Sequence, residues 1–230
     1  MSLYLKLELA SLTVPLLFTF NRKMYFYRRW RAILLSLCIV AAAYITSDII
    51  FTYLGIWGFN PNYTSKMLIL RMPIEEWLFF FIIPYASLFL HNTLVYTFPR
   101  AALPKPWTLG ISIVFVISLL GVAISNSTRT YTMVVCLAAA GSIAVASFFT
   151  IDVLRRYYFT FLVILVPFFL VNAILTGSFI DAPVVWYNNQ ENLDIRIFTV
   201  PIEDIAYAFS LILFNLTLIR KVDNYFKKTV

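Results

Sequence analysis

The chain has 230 residues, of which 61% are hydrophobic and 13% charged, and its formal net charge is +7. Its apolar residues form long blocks that do not alternate with polar ones, which excludes an ordinary water-soluble domain and is typical of an integral membrane protein. The two cysteines and one histidine have no metal or redox spacing, and no glycine-rich nucleotide motif is present, so the sequence predicts neither a metal nor a cofactor.

Seven apolar blocks follow one another along the chain, each of roughly the 20 residues that cross a bilayer as a helix. The first is the weakest, because Lys6 and Glu8 interrupt it. The fold class predicted is therefore all-α, a polytopic membrane protein with seven transmembrane helices. The predicted spans are residues 3–20, 32–54, 74–98, 107–124, 131–149, 158–175 and 202–219.

The basic residues predict how these spans are oriented. Thirteen lysines and arginines follow the first, third, fifth and seventh spans, and five lie on the opposite side. By the positive-inside rule the N-terminus is outside and the C-terminus is cytoplasmic. The positive charge is then explained by membrane topology, and no nucleic-acid partner is predicted.

A tetrad on the third span is repeated on the seventh. Pro-Ile-Glu-Glu at 73–76 recurs 128 residues later as Pro-Ile-Glu-Asp at 201–204. This repeat predicts a three-helix unit in residues 1–98, a linking transmembrane helix in 99–130 and a second three-helix unit in 131–230. Since equivalent helices are four spans apart, the units should be parallel repeats that enclose a site between them.

The tetrads have both a structural and a functional interpretation. Proline followed by acidic residues is a common helix start, favoured by the helix dipole. Acids next to hydrocarbon are costly, however, unless they face an interior, and here they are duplicated. Two neighbouring carboxyls in a dry site should not both ionise, which leaves one as a proton donor. We therefore expect a catalytic role for Glu75, Glu76, Glu203 and Asp204.

Further candidate site residues lie near the tetrads. Asp48 and Asn172 occupy matching positions in the two repeats if a gap is allowed, and either hydrogen bonds between helices or a direct role would explain them. Aromatic side chains beside acids can stabilise a cation, although such residues also form the interfacial belt of membrane proteins. The aromatic candidates are Trp57, Trp77, Phe80, Trp186 and Tyr207.

The paired tetrads resemble the Pro-x-Glu-Glu/Asp signature of the small, membrane-type lycopene cyclases. The stretches "SFFTIDVLRRY" at 147–157 and "VNAILTG" at 171–177 strengthen the resemblance, which is to the form that fuses two subunits in one chain. It implies a bacterial or archaeal membrane enzyme that closes the linear ends of lycopene into rings, expected to be β-ionone rings, without redox chemistry. The implied partners are lycopene, membrane lipids and other enzymes of the carotenoid pathway.

The resemblance also suggests roles for the acids. It makes Glu75 and Glu203 the leading acid-base candidates and Glu76 and Asp204 their partners. The residues leave open which carboxyl donates the proton, and whether one or both ends of lycopene are cyclised.

The sequence also bears on three other classes of membrane protein. A small-solute transporter of the SWEET type shares the arrangement of three helices, one linker and three helices, and it is the alternative function. A retinal photoreceptor needs a lysine in the seventh span, and 202–219 contains none. A prenyltransferase is disfavoured because no aspartate-rich pair is available for magnesium diphosphate.

Overall fold

A computed structural model describes residues 1–22 and 26–228, and it is built mainly of long helices. The described residues leave out Lys23, which is one of the basic residues counted above. They also leave out positions 229 and 230 of the predicted second repeat. A short 3₁₀ helix, Phe26–Arg29, precedes the second long helix. The long helices are α1 Leu3–Thr19, α2 Trp30–Leu54, α3 Ile74–Thr97, α4 Lys105–Ser125, α5 Thr130–Phe149, α6 Ile151–Leu175 and α7 Glu203–Lys228.

Six of the described helices, α2 to α7, are long and apolar enough to cross a membrane. Helix α1 has 17 residues, about 26 Å at 1.5 Å per residue, against a hydrocarbon core of about 30 Å. Transmembrane passage of α1 therefore stays a prediction. The polytopic, largely helical architecture agrees with the predicted fold class.

The predicted start of the sixth span was wrong. Helix α6 begins at Ile151, and Thr150 alone separates it from α5. Arg155 and Arg156 therefore belong to its first turns and not to a loop, and their guanidinium groups donate to the backbone carbonyls of Leu103 and Pro99. Charged residues can occupy a helix end in this way because their long side chains reach away from the apolar interior.

Three two-stranded antiparallel sheets, which the all-α prediction did not include, lie in the loops next to the tetrads. Two are hairpins that lead into α3 and α7, and the third, β1–β4, joins the loop before α3 to the loop before α7. Each strand of the second half lies 128 residues after its counterpart. The strands are β1 Trp57–Phe59, β2 Leu68–Ile69, β3 Met72–Pro73, β4 Val185–Tyr187, β5 Arg196–Ile197 and β6 Val200–Pro201.

The duplication extends to backbone conformation. The turn residues Leu70 and Phe198 both have positive φ, 51° and 55°. The two loops also bond reciprocally, because Asn60 N–H donates to Val184 and Asn188 N–H donates to Ile56, both at 2.8 Å. The loops before the two tetrads are thus held together at one end of the molecule.

The helices pack around α7, which contacts α2, α3, α5 and α6. Helix α1 packs on α3, and α4 packs on α5. A buried cluster that includes Tyr157, Phe161 and Phe209 fills the space between α6 and α7. This arrangement brings the starts of α3 and α7 to the same end of the helix bundle.

Candidate active site

A cavity of about 350 Å³ lies between the two halves of the chain. Three carboxyl-bearing residues line it, Asp48 from α2, Glu76 from α3 and Asp204 from α7. Most of the remaining wall is aromatic or aliphatic, with Phe79, Phe89 and Phe168 among its members. The cavity is therefore an apolar site with a small cluster of acids.

The cavity is elongated along the helices. On α3 its wall runs from Glu76 to Leu90, which is 14 residues or about 21 Å at 1.5 Å per residue. On α6 it runs from Ile164 to Leu175, or about 17 Å on the same basis. Asp48, Glu76 and Asp204 line it together near the loops, and the deeper part is almost entirely apolar. This shape suits a long hydrocarbon whose end lies against the acids.

Glu75 and Glu203 do not line this cavity. Glu75 is fully buried, and its carboxyl group accepts hydrogen bonds from the Ser2 hydroxyl at 2.5 Å, the Ser65 N–H at 2.8 Å and the Ser65 hydroxyl at 2.9 Å. Glu203 accepts on one oxygen only, Oε1, from the Leu193 N–H and the Thr132 hydroxyl, both at 2.7 Å, and its Oε2 has no partner among the described residues. These two acids fasten the loops to the helix starts.

The two acids of each tetrad have different surroundings because neighbouring helical residues point about 100° apart. When the first acid faces the loop hydrogen bonds, the second faces the space between the repeats. In each tetrad the cavity-facing residue is the fourth, Glu76 or Asp204. The sequence resemblance instead gave the leading acid-base roles to the third residue of each tetrad, Glu75 or Glu203.

Glu76 lies within a group of polar residues from four helices. Its Oε2 accepts a hydrogen bond of 2.7 Å from the Tyr4 hydroxyl of α1. Asp48 lies close enough for its carboxyl group to interact with that of Glu76. Its Oδ1 accepts a hydrogen bond of 2.8 Å from the Tyr207 hydroxyl. Among the described residues, Asp48 Oδ2 is buried without a hydrogen-bond partner. Two adjacent carboxyls with so few donors can share a proton.

Asp204 has more hydrogen-bond donors than Glu76. Both of its carboxyl oxygens accept phenol hydrogen bonds, Oδ1 from Tyr131 at 2.5 Å and Oδ2 from Tyr187 at 2.9 Å. Burial raises the pKa of the Tyr187 phenol well above its usual value, and the nearby Asp204 carboxyl raises it further. Tyr187 therefore stays a hydrogen-bond donor to Asp204 at ordinary pH.

Trp57 lies among the tyrosines that bind these acids. Its ring is 5.2 Å from Tyr131, 5.9 Å from Tyr187 and 6.1 Å from Tyr207, in edge-on geometry. Trp57, Tyr207 and Asn172 all line the cavity, as a supporting role would require. Aromatic faces in a dry pocket stabilise positive charge by about 2 kcal/mol or more.

The other three aromatic candidates do not line the cavity. Trp77 donates from Nε1 to the Ile69 carbonyl at 3.3 Å, and Phe80 is buried in the packing between helices. Trp186 lies on the β1–β4 sheet and covers Gly58, where a Cβ would come within 2.3 Å of the indole. The structure gives these residues contacts that support the walls and loops.

Sequence reasoning did not single out Tyr4, Tyr131 and Tyr187, which donate to the cavity acids. Their distance in sequence from the tetrads hid them, although Tyr4 and Tyr131 both lie near the start of a repeat. Glu8, treated only as an interruption of the first span, is 1% exposed. Neither of its carboxyl oxygens has a hydrogen-bond partner among the described residues.

Comparisons with known proteins agree with the duplicated organisation. A family model described as lycopene cyclase matches residues 1–94 and again 128–222. The matched segments contain one tetrad each and leave out the whole of α4. Neither the curated proteins nor the solved structures contain a match to this chain.

Proposed function

Because the chain belongs to the lycopene cyclase family and is thus a carotenoid-cyclising enzyme, we propose that it isomerises the linear ends of lycopene into β-ionone rings by acid-base catalysis in the cavity. The observation that carries this proposal is the meeting of Asp48, Glu76 and Asp204 at one end of a long apolar cavity. Such a site can protonate an alkene and hold the resulting cation away from water.

Glu76 is the proton donor in this proposal. It lies beside Asp48, whose Oδ2 lacks a donor among the described residues, so a proton shared by this pair relieves the repulsion between two buried carboxylates. The proton passes from Glu76 to the terminal carbon-carbon double bond. The double bond becomes a tertiary cation, and Glu76 becomes a carboxylate.

Asp204 stabilises the cation. Its carboxylate accepts hydrogen bonds from Tyr131 and Tyr187, and the rings of both tyrosines contact the indole of Trp57 edge-on. Negative charge and aromatic faces prearranged in a dry site stabilise the charge that develops during reaction. The next double bond then attacks the cation and closes the ring.

The reaction ends when the ring cation releases a proton. The carboxylate left on Glu76 takes that proton, which restores the starting state with no net proton and no electron exchanged. Lycopene and ring product are isomers, so the proposed chemistry requires no redox cofactor.

We further propose that the two three-helix units, 1–98 and 131–230, are parallel repeats joined by the linking helix. Their N-terminus lies outside and their C-terminus in the cytoplasm. The hairpins repeated at 128 residues support this arrangement, as does the placement of basic residues. Membrane lipids are the proposed surroundings, and other carotenoid-pathway enzymes the proposed partners.

Expression in a lycopene-accumulating bacterium, followed by pigment analysis, tests the proposal. We expect cyclic carotenoids from the wild-type chain and lycopene alone from Asp204→Asn at equal membrane expression. Unchanged lycopene with the wild-type chain would refute the proposed function. Substrate-dependent sugar uptake in proteoliposomes would support the transporter alternative, which the apolar cavity disfavours.

A further inference from the structure

The cavity reaches the surface of the protein between α1 and α6. Val14 of α1 lines the cavity, yet 57% of its surface is exposed. Across the gap, Pro167 of α6 is exposed and Phe168 is half-buried, and both line the same cavity. Of the described helices, only α3 packs extensively against α1. The deep, apolar part of the cavity is thus open sideways.

This opening lies at the depth of the lipid tails if α1 crosses the membrane as proposed. Val14 is eleven residues from the start of α1 at Leu3, which is about 16 Å at 1.5 Å per residue. The hydrocarbon core is about 30 Å thick. The opening therefore faces hydrocarbon and not water, which suits a substrate dissolved in the membrane.

The equivalent gap in the second repeat is closed. The residue 128 positions after Val14 is Ser142, which is 1% exposed, against 57% for Val14. Ser142 lies on α5, which packs against both α4 and α7. The linking helix occurs once in the chain, so α1 lacks the cover that α4 gives to α5. The asymmetry follows from the connection between the repeats.

We infer that the gap between α1 and α6 is the route by which lycopene slides from the bilayer into the cavity, one end group first. This inference rests on the function proposed above. The end group travels about 15 Å along α1, the rise of the ten residues between Val14 at the opening and Tyr4, which donates to Glu76. The rest of the lycopene molecule stays in the deep part of the cavity and in the lipid. Pro15 and Pro167 lie in α1 and α6 at this gap, where missing backbone hydrogen bonds let the helices bend apart.

Narrowing the opening without changing the acids tests the route. Val14→Trp should lower kcat/KM at least tenfold in proteoliposomes loaded with lycopene, while kcat at saturating lycopene changes less than threefold. Leu17→Trp is the matched control, because Leu17 lies on the same helix, is 72% exposed and does not line the cavity. The control should retain kcat/KM within twofold.

An unchanged kcat/KM in Val14→Trp, or an equal loss in Leu17→Trp, would overturn the inference. A parallel collapse of kcat would also overturn it, since the tryptophan would then disturb the reacting end group. If Val14→Trp does not fold, Phe168→Trp on the α6 side of the opening replaces it.

Failure of the proposed function would give a different result. The wild-type chain would convert no lycopene. The access route would then be tested by the rate at which lycopene transfers from liposomes to the protein, followed by its absorbance. Slower transfer in Val14→Trp than in Leu17→Trp supports the route, and equal rates overturn it.

Discussion

The two acids of the first tetrad should respond differently to the same change. Glu75→Gln and Glu76→Gln each replace a carboxyl by an amide of nearly equal size. Glu75 fastens the loop, whereas Glu76 faces the cavity. The first variant should therefore lose stability and keep catalysis, and the second should lose catalysis and keep stability.

The expected loss of stability follows from the hydrogen bonds of Glu75. Oε1 accepts bonds from Ser2 and from the Ser65 N–H. Both become neutral bonds in Glu75→Gln, and each loses about 1 kcal/mol, the difference between charged and neutral hydrogen bonds. The total of about 2 kcal/mol corresponds to a fall in Tm of roughly 4–8 °C for a chain of this size.

The expected loss of activity follows from the proposed role of Glu76. An amide cannot donate a proton to an alkene, and losing a general acid typically costs about 10²–10⁴-fold in rate. A Glu76 that is already neutral in the protein is replaced by a neutral amide, so Tm should change by less than about 2 °C.

Pigment formation in lycopene-loaded proteoliposomes measures the rate of cyclisation. Thermal unfolding of the purified protein in detergent measures Tm. Glu203→Gln in the second tetrad is the counterpart of Glu75→Gln, and it should likewise lose stability and keep catalysis. The reasoning is refuted if Glu75→Gln abolishes cyclisation with unchanged Tm while Glu76→Gln remains active.

Three further changes probe single contacts. Tyr187→Phe removes one of the two phenols bound to Asp204. A hydrogen bond to a charged group is worth about 1.5–3 kcal/mol, so kcat should fall roughly 10- to 150-fold. A fall below threefold in steady-state assays would contradict an ionised Asp204. Glu8→Met removes a buried carboxyl without partners among the described residues. This variant should have a higher Tm and keep its activity. Lost activity at a raised Tm would show that Glu8 takes part in catalysis. Phe198→Gly relieves a φ of 55° and should stabilise the protein by up to about 1 kcal/mol in thermal unfolding; a lower Tm would mean that the exposed ring makes contacts worth more than the strain.

Sequence patterns predicted the helical architecture because apolar length is a local property. Blocks of about 20 apolar residues anticipated the helices, and the repeat at 128 residues anticipated the pairing of the tetrads. Where a boundary depended on charge, as at Arg155 and Arg156, the prediction failed, since the helix extends past the apolar block. The short strands were also missed, because two- and three-residue strands leave no periodic pattern.

The sequence alone thus determined that this is a membrane protein with duplicated acids, and its motifs indicated the family. Tertiary structure decided which acid of each pair faces the cavity, because helix rotation is set by the loop hydrogen bonds of Glu75 and Glu203. It also decided which distant tyrosines bind Glu76 and Asp204, and that the cavity opens at α1 and not at α5. These properties arise from contacts between residues far apart in the chain, and neither composition nor spacing encodes such contacts.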